Sequence, residues 1–138
     1  MVVHSHLEIS TTGQGLYLIT RQIEEHVRKS QLTNGLVHLF LQHTSASLII
    51  QENADPTAQQ DLEEFLDRMV PENQHWHQHT LEGPDDTTSH LKAALTHTSL
   101  QIPLLNGRLA LGTWQGLFLW EHRHQRHSRK IVITVIGE

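Results

Sequence analysis

The sequence predicts an α+β fold of packed, mainly antiparallel β-sheets with two or three flanking helices. Short apolar or alternating runs recur along the chain. The clearest is Leu36–Gln42, where Val37, Leu39 and Leu41 face one way and His38 and Phe40 the other. Helical spacing is confined to a few segments between these runs. Strict strand–helix–strand alternation is missing, which argues against a doubly wound parallel sheet.

In chain order, Val2–Ile9 and Gly15–Ile19 read as strands. Thr20 is placed to cap a helix over Arg21–Lys29, with Ile23 and Val27 one turn apart on its inner face. Asn34-Gly35 is a turn signal before the strand Leu36–Gln42, and Ser47–Gln51 returns as another strand. Asp55-Pro56 suits a helix start, because Asp accepts from free backbone N–H groups and Pro fits the first helical position. Ala58, Leu62, Phe65, Leu66 and Met69 then recur at helical spacing, and Pro71 closes the segment. A loop is expected over Glu72–Gly83 and a third helix over Thr88–Thr96, with Leu91, Ala94 and Leu95 inward. Leu100–Leu105 and Arg108–Leu111 flank Asn106-Gly107, a type I′ hairpin signal, and Leu117–Glu121 and Ile131–Ile136 complete the strands.

The 138 residues fit one domain, expected to span 1–138. Cysteine is absent, so disulfides, thiolate metal sites and a cysteine nucleophile are excluded. Met1–His6 lacks the features of a secretory signal and no run approaches the length of a membrane span, so a cytoplasmic protein is expected. The formal charge of −5 disfavours nucleic acid as a partner. Histidine is over-represented, 13 against seven aromatic residues of the Phe, Trp and Tyr types (3, 3 and 1). Imidazole titrates near neutrality and ligates metals, so some of these belong to a metal or acid–base site while most are surface residues.

Three constellations carry chemistry. Gln42–Ser47 lies at a strand end, ahead of Asn53, Asp55 and a helix start. There His43 reads equally as a general acid/base or ligand and as a turn-bonded histidine. Asp85-Asp86 precedes His90 by five and four residues, a pattern for a hard cation, although spacing alone favours helix capping. Gly112-Thr113-Trp114-Gln115-Gly116 precedes Trp120-Glu121-His122-Arg123, where Gln115 can meet a substrate edge and Arg123 a phosphate, and Glu121 can instead pair with Arg123. The run His75-x-His77-x-His79 is expected to be a solvated loop, and His122-x-His124-x-x-His127 a solvated basic turn apart from His122.

At these residues the sequence resembles the YjbQ family, also called the secondary thiamine-phosphate synthase family. His43–Leu48 with Glu52–Pro56, then Gly83–Asp86 through His90-Leu91-Lys92, then Gly107–Gly116 ending at Glu121-His122-Arg123 resemble its three signatures, in family order and spacing. Thr87-Thr88-Ser89 departs from the hydrophobic or proline residue usual after the acidic motif.

The resemblance implies a homotrimer with a pocket near subunit boundaries. It also implies a low-level thiamine-phosphate synthase activity joining a pyrimidine pyrophosphate to a thiazole phosphate, with an unsettled physiological role. The expected partners are a small phosphorylated or heterocyclic metabolite, and neither nucleic acid nor membrane. On that reading Asp55, Asp85, Asp86 and His90 bind a divalent metal, Mg²⁺ or Zn²⁺. His43, Asp86, His90 and His122 are the catalytic candidates, and Ser45, Asn53, Gln115, Glu121 and Arg123 contact substrate. A metal-dependent hydrolase of a phosphorylated metabolite and a non-catalytic trimeric binding module are the alternatives.

Overall fold

The structure, a computed structural model, describes all of residues 1–138. In chain order it comprises β1 (Val2–Thr11), β2 (Gly15–Leu18), α1 (Thr20–Ser30), β3 (Gly35–Leu41), β4 (Ala46–Glu52) and α2 (Pro56–Met69). There follow α3 (Asp86–Leu95), β5 (Ser99–Leu105), β6 (Arg108–Leu109), β7 (Gln115–Glu121) and β8 (His127–Gly137). One sheet has the order β1-β8-β3-β5-β6 and the other β2-β7-β4, and all pairings are antiparallel. The α+β expectation with antiparallel sheets and three helices therefore holds. No helix is long and apolar enough to cross a membrane.

Alternation in the strands builds the core between the sheets. Val37, Leu39 and Leu41 of β3 and Ile131, Ile133 and Val135 of β8 meet Leu117 and Leu119 of β7 and Leu48 of β4. Ile23 and Val27 of α1 join the same core, as their spacing predicts. The Asn106-Gly107 hairpin is as expected: Leu105 pairs Arg108, and both turn residues have positive φ.

Four local expectations are corrected. Thr20 does not cap α1. Ile19 occupies the cap position without a side-chain bond, and the Thr20 hydroxyl instead accepts from the Leu117 N–H at 2.9 Å, fastening α1 to β7. Phe65 and Met69 of α2 are exposed, and only Leu62 and Leu66 turn towards the interior. α3 begins at Asp86, and its buried face is Asp86, Thr88, Ser89 and Lys92 while Ala94 and Leu95 are exposed. A polar face is buried there because its groups find partners, as described below. The strand expected over Arg108–Leu111 pairs only at Arg108 and Leu109.

Asn34-Gly35 leads into β3, and Gly35 pairs Gly137 across the sheet. A Cβ on Gly35 would lie 1.9 Å from the Ile136 carbonyl oxygen, and one on Gly137 the same distance from that of Asn34. Only hydrogen fits at either α-carbon.

The register decides where functional groups gather. Ala46 and Gly15 both pair Glu121, Thr11 pairs His127 and Leu41 pairs Ile131. The β1–β2, β3–β4 and β7–β8 connections thus share one end of the molecule. Glu52 pairs Gln115 at the other end of β4 and β7, about 20 Å away at the usual rise per residue. Gly35→Ala should destabilise the fold by about 3 kcal/mol, the upper end of ordinary single substitutions. Urea denaturation measures this, and a loss under about 1 kcal/mol would show that the strands can part at little cost.

Candidate functional site

The deepest charged group at the shared end is Glu121, 1 % exposed at the end of β7. Its Oε1 accepts from Arg129 Nε at 2.7 Å and from the Thr11 hydroxyl at 2.7 Å. Its Oε2 accepts from Arg129 Nη2 and from the Arg123 N–H at 3.1 Å. Burial pushes this carboxyl up, but the bonds from Arg129, Thr11 and Arg123 outweigh burial and hold it below the usual carboxylate range. Glu121 is fully engaged within the protein, which corrects its expected contact with substrate, and its ionic partner is Arg129 rather than Arg123.

Arg129 organises the β3–β4 turn. Its Nη2 donates to the Ser45 carbonyl at 3.3 Å. His43 Nε2 accepts from the Lys130 N–H at 2.9 Å, so the neutral ring carries its proton on Nδ1. The 3.3 Å approach of Arg129 Nη1 to Nδ1 is then a donor facing a donor. Burial and then the Arg129 charge lower the His43 pKa and keep the ring neutral. His43 is thus a brace between turn and β8, and its acceptor nitrogen is unavailable for catalysis. Ser45 is buried and contributes its carbonyl.

A second ion pair lies above the first. Arg123 Nε donates to Asp85 Oδ2 at 3.1 Å, Nη1 to Asp86 Oδ1 at 2.6 Å, and Nη2 to the Glu82 carbonyl at 2.9 Å. Asp85 Oδ2 also accepts from the His124 N–H at 2.8 Å. Asp85 therefore anchors the β7–β8 turn to the start of α3 rather than holding a metal. Arg123 is committed to the two carboxylates rather than to phosphate.

His122 is buried and packs on Trp120 with ring centroids 5.5 Å apart. The Thr96 hydroxyl donates to the Lys92 carbonyl at 2.8 Å, Ser47 bonds Thr96, and Ser47 Oγ lies 2.8 Å from His122 Nε2. These bonds are all satisfied when His122 carries its proton on Nε2 and the chain of donors runs towards Lys92. Burial first, then the nearby Lys92 charge, depress its pKa to about 3. The Ser89 hydroxyl, 2.9 Å from the His122 carbonyl, and Lys92, paired with Asp67, complete the buried face of α3. His122 is thus held as a neutral strut between β7 and β4, bonded to Ser47.

What remains open to a ligand is the far oxygen of Asp86. Its Oδ2 lies 2.6 Å from His79 Nε2 and 3.1 Å from His90 Nε2, and the three donor atoms lie within 4.8 Å of one another. His90 Nδ1 donates to the Thr44 carbonyl at 2.9 Å. With that proton placed, a neutral His90 points the Nε2 lone pair at a carboxylate oxygen, so a cation, either a proton or a metal ion, must sit between them. A ring nitrogen held by a backbone carbonyl while the other faces outward is also how metal-ligating histidines are oriented. Ligands on a tetrahedral ion with ~2.1 Å bonds are about 3.4 Å apart, so each nitrogen need draw back from Asp86 Oδ2 by less than about 1 Å. Burial raises the Asp86 pKa, but the bonds and charges of His79, His90 and Arg123 outweigh it and keep the carboxylate ionised.

Of the expected metal ligands, Asp86 and His90 are brought together and Asp85 stands behind them. Asp55 is exposed and caps α2, accepting from the Thr57 N–H at 2.9 Å and hydroxyl at 2.7 Å. Asn53 and Gln115 lie at the opposite end of β4 and β7, where Gln115 Oε1 accepts from the Gly112 N–H. His79, expected in a solvated loop, is the residue missed. Its one available signal was its spacing of seven residues before Asp86, across a turn that the sequence does not specify.

The molecule is therefore an α+β protein of antiparallel sheets whose turns converge on a buried carboxylate–guanidinium–imidazole network. Its residues 5–138 match the model of the family described as UPF0047 protein YjbQ-like, and the chain belongs to that family. It is 49 % identical over 132 residues to a UPF0047 protein of Synechocystis, covering 96 % of this chain and 90 % of the relative. It is 45 % identical over 133 residues to the UPF0047 protein YjbQ of Escherichia coli, with 96 % of each covered. Its fold is similar to a conserved hypothetical protein of Thermus thermophilus, with TM-score 0.86, 36 % identity and coverage of 96 % and 99 %. It is also similar to a YbjQ-like protein of unknown function from Sulfolobus solfataricus, with TM-score 0.88, 26 % identity and full coverage of both chains.

The His122 environment predicts a pH dependence. The unfolded imidazole titrates near 6.5 and the folded one near about 3. Between these values the unfolded chain binds one more proton, so this residue's contribution to stability is lost as pH falls from 6.5 towards 3, at ~1.4 kcal/mol per pH unit. His122→Gln, which keeps a donor for Ser47, should flatten urea-denaturation stability against pH across that window. Equal slopes for both proteins would show that the ring is not held neutral.

Proposed function

We propose that the protein is a metal-dependent enzyme acting on a small phosphorylated metabolite, with thiamine-phosphate synthase-type transfer as the first reading. The observation that carries it is the convergence of His79, Asp86 and His90 nitrogen and oxygen donors within 4.8 Å, with Asp86 fixed from behind by Arg123. The donor set of two imidazoles and one carboxylate fits zinc or another transition metal better than magnesium, which prefers oxygen ligands. When bound, such a cation supplies positive charge against a pyrophosphate leaving group. His79 and His90 would hold it through Nε2 and Asp86 through Oδ2. Thr44 sets the His90 tautomer through its carbonyl, and Arg123 keeps Asp86 charged and oriented. The transferase reading itself comes from the sequence motifs resembling the YjbQ family. Asn53 and Gln115 enter it as substrate-positioning groups only through a neighbouring copy.

The donor set specifically favours a second reading, hydrolysis of a phosphorylated metabolite, because two histidines and one carboxylate are a recurrent ligand set of zinc hydrolases. Protein purified without a histidine tag should hold about one zinc per chain by elemental analysis. His79→Ala should lower that affinity at least about tenfold with little loss of stability, since His79 is half exposed. Mixing a pyrimidine pyrophosphate with a thiazole phosphate separates the readings. A joined product that falls away in His79→Ala supports transfer, and release of pyrophosphate without the thiazole partner supports hydrolysis. Wild-type turnover by His79→Ala would sink both.

The homotrimer belongs to the same proposal. The outer face of the five-stranded sheet aligns Val2, Ile136 and Leu36 in one row, with Phe40 four residues along β3 on the same face. All four are 44–54 % exposed. These exposed apolar side chains, set on either side of the polar row His4, Thr134 and His38, suit burial against other copies. Phe40→Asp should convert the assembly to single chains by light scattering, and an unchanged mass would remove this face from the interface.

A further inference from the structure

A cavity of about 430 Å³ opens within the α2–α3 connection, beside the three-donor cluster. Its lining includes Asn73, Gln74, His77, His79, Thr80 and Thr87, and Pro84 is its one hydrocarbon side chain. The size is that of a small-molecule site, but the lining lacks the apolar and aromatic walls that enclose a heterocycle. Besides His79, two of its polar groups are already used: Gln74 donates to the Glu72 carbonyl and Thr87 to the His79 carbonyl. Asn73 and Thr80 make no side-chain hydrogen bond within the protein. His77 is more telling, because its Nε2 is shut off from solvent and has no hydrogen-bond partner. An unpaired buried nitrogen is costly, and it persists where a ligand or function needs it. The ring stands edge-on to Trp76, at 84° with centroids 4.5 Å apart. Turning the imidazole to bring Nε2 to a ligand would also change this contact, so filling the cavity is expected to alter the surroundings of Trp76.

We propose that this cavity seats the phosphate-bearing end of the substrate, with His77, Asn73 and Thr80 as its hydrogen-bond partners and His79 shared with the metal cluster. The inference rests on the reading of that cluster as the reaction site and adds the part of the substrate that lies beside it. An oxyanion group suits the lining, because each free side chain offers an N–H or O–H donor and no carboxylate lines the cavity. The heterocyclic end of the substrate then lies outside it.

The test is calorimetric titration of the full-length chain with inorganic pyrophosphate, with and without zinc, alongside tryptophan fluorescence. Wild-type protein should bind saturably with a change in fluorescence. His77→Ala and Thr80→Val should each bind at least about tenfold more weakly, as expected for a lost bond to a charged ligand, with zinc content unchanged. Trp76→Phe should keep the calorimetric binding and lose the fluorescence change. Equal affinity in the His77 and Thr80 variants, or no saturable binding by the wild type, would overturn the proposal. Failure of the wild type to hold zinc would instead remove the metal reading, and the zinc-free titration would still decide the cavity.

Discussion

The Glu121–Arg129 pair is the constraint on which the rest of this end of the molecule depends. Glu121 closes β7 and Arg129 lies near the start of β8, in the other sheet. Their contact ties the two sheets together at one edge. It reaches β1 through Thr11, the β3–β4 turn through Ser45, and the β7–β8 turn through the Arg123 N–H. A buried pair of this kind adds little net stability over an apolar contact, because both ions lose water. Removing one partner costs about 3–5 kcal/mol, because the other charge is stranded. Its value here is positional. It fixes three turns relative to one another, and Asp86 and His90 sit on the helix those turns hold, while His79 reaches them from the α2–α3 connection.

The same logic repeats one layer outward. Arg123 leaves the strand end fixed by Glu121 and spends its guanidinium on Asp85 and Asp86, so the start of α3 is placed by the end of β7. This is why α3 buries a polar face. Ser89 reaches the His122 carbonyl and Asp86 reaches Arg123, bonds that an apolar face could not make. Helical periodicity alone points to Leu91, Ala94 and Leu95; Leu91 does pack on the Leu66, Val70 and Trp120 cluster, but Ala94 and Leu95 are exposed and ion pairing takes their place.

How much was legible follows from that difference. The strands were readable because alternation such as Val37, Leu39 and Leu41 is a local record of burial, and Asn106-Gly107 is a local record of a turn. The polar residues that matter were also visible as a set: His43, Asp85, Asp86, His90, Glu121, His122 and Arg123 do converge. Their roles were not legible, because struts and catalysts draw on the same residue types. Whether an imidazole is free depends on a partner far along the chain, such as the Lys130 N–H on His43 or Ser47 on His122. Asn53 and Gln115 show the complementary limit. They stand in the sequence motifs, and the antiparallel register of β4 and β7 carries them to the end opposite the cluster. His79 was obscured by its neighbours, since His75 and His77 make the stretch look like an undifferentiated polar loop.

Charge accounts for why only one group of this network invites a ligand. Glu121 and Arg129 cancel, and His43 and His122 are kept neutral. Above them Asp85 and Asp86 share the single positive charge of Arg123, which leaves one negative charge in excess. That excess sits at Asp86 Oδ2, because Oδ1 is turned to Arg123 and Asp85 Oδ2 to Arg123 and the His124 N–H. Two imidazole nitrogens converge on that one oxygen, so the site is built to take positive charge. A proton restores neutrality there, whereas a dication shared with neutral His79 and His90 leaves a net positive charge at the mouth of the polar cavity. An anion is then attracted to a point that is fixed, through Asp86, Arg123 and the strand end at Glu121, to the core of both sheets.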